Sequence, residues 1–111
     1  MIEKTIYDYL NEAGFAVYME RPSKPPEEYV LIEKTGSRRL NCITTTTLAI
    51  QSYAPTLFRA SELNEQVKQT MDEADALVSV SASKLVSDYN FTNTAAKQYR
   101  YQAVYEVTHK E

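Results

Sequence analysis

Cys42 and His109 are the two residues of this sequence that could supply a nucleophile and its base. Each is the single residue of its type in the chain. A catalytic thiol needs a base that is held firmly within hydrogen-bonding reach, yet His109 lies close to the end of the sequence, where chains usually fray. Cys42 lies in a β-branched run, where a lone cysteine normally behaves as a small buried hydrophobe. The pattern therefore disfavours thiol catalysis.

Three carboxylates in a short stretch, Asp72, Glu73 and Asp75, are the residues that could suggest a metal site. Hard cations prefer several oxygen ligands, but no histidine and no second acidic cluster stands at ligand spacing from these three. A solvated helix face explains them. The two glycines, Gly14 and Gly36, belong to no G-x-G or Walker pattern. We therefore expect no catalytic residue, no metal and no cofactor, and the sequence does not predict an enzyme.

Length and composition favour a single domain over residues 1–111. The chain is 43% hydrophobic and 24% charged, which is close to average and argues against disorder. A formal net charge of −3 disfavours general affinity for nucleic acid, because phosphate binding requires a cationic surface. The single cysteine and the lack of a long apolar segment at the start predict a protein kept in a reducing cytosol, without a membrane span.

Two segments have helical spacing of their apolar residues. The first runs from Met1 to Ala13 and is followed by Gly14, which can close a helix in the left-handed conformation. The second begins near Thr56 and continues to about Leu77, with Thr56 or Ser61 as its N-terminal cap. Its apolar positions are Phe58, Ala60, Leu63, Val67, Met71, Ala74 and Leu77.

The remaining segments alternate or are β-branched, which is typical of strands. We predict five strands, at residues 15–20, 29–34, 40–53, 78–85 and 99–107. A proline-rich loop, Arg21 to Glu28, joins the first two, and a turn at residues 35–39 would use Gly36 for a positive φ. The order helix, three strands, helix, two strands predicts an α+β fold, with both helices packed on one face of a mainly antiparallel sheet of about five strands.

The last strand indicates how the two sheet faces differ. Tyr99, Tyr101 and Tyr105 share one face, which predicts packing over a core or against another subunit. Arg100, Gln102 and Glu106 share the other face. Nine tyrosines in the chain leave two explanations open, core packing or a tyrosine-rich oligomer interface. Lys34, Arg38 and Arg39 form a basic cluster that either protects an edge strand or meets an acidic partner.

Three stretches together resemble a known family. They are VYMERP with YVLIEKTG (Val17 to Pro22, Tyr29 to Gly36), LAIQSYAPTLFRASELNEQVKQTM (Leu48 to Met71) and SDYNFTNTAAKQYRYQAVYEV (Ser87 to Val107). In their order and spacing they look like the tail-terminator and tail-completion proteins, often labelled minor capsid proteins, of long-tailed phages and prophages of Gram-positive bacteria.

The resemblance implies a non-enzymatic virion protein of the neck between tail and head, present in the bacterial host cytoplasm during assembly. Such proteins form a ring, commonly of six subunits, that caps the tail tube, stops its polymerisation and joins the tail to the head connector. The expected partners are other copies of the chain, the tail-tube protein and the head connector protein, with no small-molecule substrate, no membrane and no sequence-specific nucleic acid. We hypothesise partner contacts at three groups of residues: Arg21, Pro22, Lys24, Pro25 and Pro26; Gly36, Arg38 and Arg39; and Arg100, Gln102 and Glu106.

Two other functions stay open at this point. A head-completion or connector protein would belong to the same neck but bind the portal side. A cytosolic adaptor domain unrelated to phages is the alternative from a different class, because a fold of this kind does not by itself determine function.

Overall fold

The computed structural model describes residues 1–110 and contains two α-helices and five strands. The elements are α1 (Ile2–Glu12), β1 (Val17–Tyr18), β2 (Tyr29–Leu40), β3 (Ile43–Ala54), α2 (Leu57–Asp72), a short 3-10 helix (Ala74–Ala76), β4 (Val80–Asn90) and β5 (Tyr99–Lys110). The predicted α+β class and the predicted order of helices and strands are confirmed.

The five strands form one sheet in the order β1-β2-β3-β5-β4. β1 runs parallel to β2, and all other neighbours are antiparallel. β2 and β5 therefore run in one direction, and β3 and β4 run in the other. β3 and β5 lie in the centre and pair along their full length, from Ile43 with Lys110 to Ala54 with Tyr99.

Both helices contribute to one core over one face of the sheet. Ile6 and Leu10 of α1 and Val67 and Met71 of α2 are fully buried together with the sheet side chains beneath them, among them Leu48. Tyr9 connects the two helices, because its hydroxyl donates to the backbone carbonyl of Thr70 at 2.7 Å. The core forms here because the apolar residues of each helix recur at helical spacing and those of each strand at every second position.

The ends of the helices follow the predicted signals. Thr56 caps α2, since its hydroxyl accepts from the backbone N–H of Arg59 at 3.2 Å, which decides between the two candidate caps. Gly14, just after α1, has a φ of +106°, a conformation that side chains with a Cβ rarely adopt.

The predicted turn at residues 35–39 is wrong. Those residues continue β2, and the chain reverses at Asn41 and Cys42, whose φ values are +51° and +65°. Two consecutive positive φ values fit the two-residue turn whose twist matches that of a hairpin, and asparagine tolerates the first position well. Gly36 lies inside β2, beside a bulge between Lys34 and Gly36, and it has no positive φ.

The structure also corrects several strand boundaries. β1 has two residues instead of six, and Cys42 lies in the turn instead of in β3. β4 starts at Val80 and continues through Asp88 and Tyr89, which were expected in a connection. The β-branched run around Thr46 gives β2 a long partner to pair with, and this explains why the hairpin extends past Gly36.

Tyr105 is the largest fully buried side chain, and its hydroxyl lies beneath α2. The hydroxyl lies 3.1 Å from Asp72 Oδ1 and 3.3 Å from the carbonyl oxygen of Lys68, and it can donate to either. Burial, followed by the negative charge of Asp72, raises the pKa of Tyr105 well above its ordinary value of 10.0.

We expect this tyrosine to make the fold sensitive to alkali. A group whose pKa is raised by folding stabilises the protein fully below its unfolded pKa, and this contribution is lost as the pH rises above about 10. Urea unfolding between pH 7 and pH 11.5 should show the loss only at the alkaline end. Tyr105→Phe should be less stable at pH 7 but lose less between pH 9 and pH 11.5; an equal alkaline loss in both proteins would contradict the assignment.

Candidate interaction surface

Cys42 and His109 do not form an arrangement suited to thiol catalysis. Cys42 is exposed in the hairpin turn. His109 lies in β5 and is only 4% exposed, so the expected fraying at this residue is wrong. Its Nε2 lies 2.9 Å from the hydroxyl of Thr46, so this nitrogen is already engaged in a hydrogen bond. His109 is ordered because β5 pairs with β3 as far as Lys110.

The acidic residues Asp72, Glu73 and Asp75 lie at the end of α2 and in the 3-10 helix after it. Over residues 1–110, no three histidine, cysteine or acidic side chains come close enough together to hold a metal ion. Asp72 is committed to Tyr105 instead.

A cleft of about 480 Å³ lies between the C-terminal end of α1 and α2. Gly14, Ala16, Gln66 and Gln69 line it, together with Glu28 as the one ionisable carboxylate. Two hydrogen bonds from Arg59, of 2.7 and 2.8 Å, hold the pKa of Glu28 below its ordinary value. This carboxylate is therefore an ion-pair partner and a poor proton donor near neutral pH.

The sheet face opposite the helices carries a continuous row of stacked side chains. We call Tyr29, Tyr53, Arg100 and Phe91 the aromatic row. Tyr29 stacks on Tyr53 with ring centroids 4.5 Å apart and planes 4° from parallel. The Arg100 guanidinium carbon lies 5.5 Å from the Tyr53 centroid and 4.4 Å from the Phe91 centroid. The row crosses the sheet from β2 to the residue just after β4.

Two further tyrosines extend the aromatic row to both edges of the sheet. Tyr18 of β1 meets Tyr29 edge to face, with centroids 6.0 Å apart, and Tyr89 of β4 meets Phe91 in the same way at 5.8 Å. Tyr29 and Tyr53 are buried, and burial raises the pKa of Tyr29. At the end of the sheet that carries the aromatic row, the face opposite the helices is therefore packed by its own side chains.

A hydrogen-bonded layer lies beside the aromatic row. Gln51 donates to Gln102 at 2.8 Å, and Gln102 in turn is bonded to the hydroxyl of Tyr89. The Tyr53 hydroxyl donates to Gln51 at 2.9 Å and accepts from Arg100 at 2.7 Å. Two of the hypothesised contact residues are therefore bonded within the subunit. Gln102 is only 8% exposed, and the Arg100 guanidinium bonds the Tyr53 hydroxyl.

Arg21 hydrogen-bonds the proline-rich loop to Gln98, in the connection between β4 and β5. With the Gln98 amide oriented so that its oxygen faces the guanidinium, this oxygen accepts from Arg21 at 2.7 and 2.5 Å. Arg21 follows β1 at one edge, whereas Gln98 precedes β5. The other hypothesised contacts of this loop, Lys24, Pro25 and Pro26, are exposed, and Pro22 is partly buried.

The contact residues hypothesised at the turn, Gly36, Arg38 and Arg39, lie instead on an open strand edge. β1 pairs only with Val30 and Leu31 of β2, so the rest of β2 has no neighbour on its outer side. We call Glu33–Leu40 the β2 edge, and all of its residues are exposed. Arg38 bonds Glu106 at 2.8 Å across β3, on the face of the aromatic row. At the other side of the sheet, β4 pairs only with β5, and we call Val80–Asn90 the β4 edge.

Charge is divided unevenly between the helices and the rest of the chain. The helical segments 2–12 and 57–76 contain eight of the fifteen acidic residues but three of the twelve basic ones. They carry a net charge of −5, while the sheet and loops carry +2. The molecule therefore has an acidic helical layer and a mildly basic sheet.

From the sequence Arg38 and Arg39 were predicted as contact residues but in a turn instead of on a strand edge, and the aromatic row was not predicted. Tyr29, Tyr53 and Phe91 are far apart in the sequence and become neighbours only through strand register. The alternation of Tyr29 with Val30, and of Tyr53 with Ser52, was the available signal, because it places each tyrosine on the face opposite the core.

No protein-family model matches this chain, and a search of curated proteins finds no match to it. Within residues 1–110, neither helix has the length and apolar character needed to cross a membrane.

Proposed function

We propose that this protein is a phage structural subunit that caps the tail tube as a ring, ends tail polymerisation and joins the tail to the head connector. The resemblance of three segments to tail-terminator and tail-completion proteins supports this proposal. The structural observation that carries it is the pair of open sheet edges, one on each side of the same sheet. Unpaired strand edges expose backbone groups that readily pair with another chain.

A subunit with two different open edges is suited to a closed assembly. If one edge binds the other edge of the next copy, the same contact repeats until the ring closes. The molecule is elongated, with extents of 44 × 25 × 25 Å, so its two ends are well separated. In this proposal one end of each subunit fits the growing tube, and the other end differs enough to refuse a further tube layer. Termination is then steric and needs no chemical step.

The test is the mass of the purified protein by light scattering over a concentration series, alone and with the tail-tube protein. We expect a hexamer-sized species, alone or with the tube, and we expect added protein to stop tube polymerisation in a turbidity assay. A monomer that ignores the tube protein and leaves polymerisation unchanged would overturn the proposal. The same series with the head connector protein distinguishes a connector subunit, which would bind the connector but leave tube growth unaffected.

A further inference from the structure

We infer that neighbouring subunits join edge to edge, with the β2 edge of one copy paired to the β4 edge of the next in antiparallel register. This inference rests on the proposed function, since it specifies the interface of the ring.

Strand direction fixes how two copies can meet. β2 runs opposite to β3, β3 opposite to β5, and β5 opposite to β4, so the two strands with open edges, β2 and β4, run in opposite directions. When copies stand side by side around an axis along the strands, β4 of one copy lies antiparallel to β2 of the next. The β2–β3, β3–β5 and β5–β4 pairs within the subunit are also antiparallel, so this contact would continue the sheet from copy to copy around the ring.

The backbone of the β2 edge presents free hydrogen-bonding groups. Leu40 and Ile43 close the two-residue turn, so they form the pair that exchanges both backbone bonds. Since antiparallel pairs alternate, Ser37 and Arg39 direct their N–H and C=O groups away from β3 and towards the open side. A strand of the next copy can accept and donate at these positions.

Bulges limit the pairing to one short stretch on each edge. β2 is regular from Gly36 to Leu40, between the bulge and the hairpin turn. β4 is regular from Ala82 to Leu85, and the strand register shifts on both sides of this stretch. These two stretches are level in the sheet, because Ser37 pairs with Thr46, Thr46 with Val107, and Val107 with Ser83. In a planar ring Ser37 therefore lies near Ser83 of the next copy. The bulges also protect the remaining edge from uncontrolled pairing.

The side chains beside the two edges have opposite charge on the helix side of the sheet. Lys34 and Arg39 lie opposite Leu48 and Thr44 and so point to that side, and within residues 1–110 neither forms an ion pair. On the β4 edge, Asp88 points to the same side of the sheet and bonds Asn64 and Lys68 of α2.

Several acidic side chains lie around Asp88 on the helix side of the sheet. Asp88 binds Lys68 at 2.6 Å, and Lys68 also binds Glu65 at 2.7 Å. Asp72 lies nearby and bonds Tyr105. Glu65 and Asp88 thus share one ammonium group, which leaves an excess of negative charge. In a planar ring Lys34 of the neighbouring β2 edge is level with Leu85, close to Asp88 along β4, and would balance this charge. Such complementarity sets register and favours a second copy over other strands.

Cross-linking between single-cysteine variants tests the pairing. Cys42→Ser removes the exposed native thiol, and Ser37→Cys and Leu85→Cys are then made separately in that background. Leu85 lies two positions from Ser83 on the same side of β4 and is 38% exposed, so a thiol there is accessible. We expect a short bis-maleimide to link the two variants when they are mixed under ring-forming conditions, and to link neither variant to itself. A variant pair of Thr94→Cys and Leu85→Cys is the matched control, because Thr94 lies in the loop between β4 and β5, at the opposite end of the sheet from Ser37.

The other results overturn either the edge pairing or the proposed function. Self-linking of either single variant would indicate a two-fold contact between identical edges. A hexamer that caps the tube but shows no link in the mixture would overturn the edge pairing and leave the proposed function intact. A link in a closed oligomer that has no effect on tube growth would keep the pairing and overturn the proposed function.

Discussion

Ser37→Pro should prevent assembly of the ring while the subunit still folds. Ser37 is exposed on the β2 edge and directs its N–H away from β3, so proline there removes no bond within the hairpin. The neighbouring copy, however, is left with an unpaired carbonyl group. Such a loss costs about 1–3 kcal/mol at each contact, which is roughly 5- to 150-fold in affinity.

Light scattering over a concentration series measures this effect, with circular dichroism to check the fold. Ser37→Ala is the matched control, because it removes the side-chain hydroxyl and keeps the backbone N–H. We expect the alanine variant to assemble as the parent protein does and the proline variant to stay monomeric at tenfold higher concentration. Equal assembly of both variants would contradict pairing through the β2 edge.

Tyr53→Ala should be the most damaging single change on the sheet face without helices. Tyr53 is 6% exposed, stacks on Tyr29 and bonds both Gln51 and Arg100. Truncating a buried aromatic side chain costs about 3–5 kcal/mol, because it leaves a cavity and removes its contacts. For a domain of this size we expect the Tm to fall by more than about 10 °C.

Calorimetry or thermal circular dichroism measures this loss, and two variants separate its causes. Tyr53→Phe keeps the ring and loses only the hydroxyl bonds, so it should cost about 1 kcal/mol. Tyr89→Ala removes an aromatic ring at the end of the row, where the side chain is 41% exposed, and should cost less than half as much as Tyr53→Ala. Similar losses at residues 53 and 89 would mean that the aromatic row does not pack as a unit.

The helices and the general fold could be predicted because their signals are local. The spacing of Ile2, Ile6 and Leu10 defines the buried side of α1. The sequence also limited the cap of α2 to Thr56 or Ser61, and the structure selects Thr56. The alternation along β5 separates Tyr105, in the core, from Glu106 on the other face. These patterns depend on helical and strand periodicity, which the sequence carries directly.

The hairpin turn shows where local signals fail. Gly36 is the stronger turn residue by type, yet the chain turns at Asn41 and Cys42. Pairing of β2 with the β-branched residues of β3 decides the register, and this pairing stabilises Gly36 in an extended strand. The correction moves Arg38 and Arg39 from a turn to an open strand edge, which changes the partner surface that they can form.

By itself the sequence determined the class of fold, the order of its elements, the buried side of each helix and the candidate basic residues. Only the tertiary structure decided which strands lie at the edges, that these strands run in opposite directions, and that Tyr29, Tyr53, Arg100 and Phe91 form one row. The physical reason is that these properties depend on strand order and register between segments far apart in the chain. No local periodicity encodes such long-range pairing, because it results from the packing of the whole sheet.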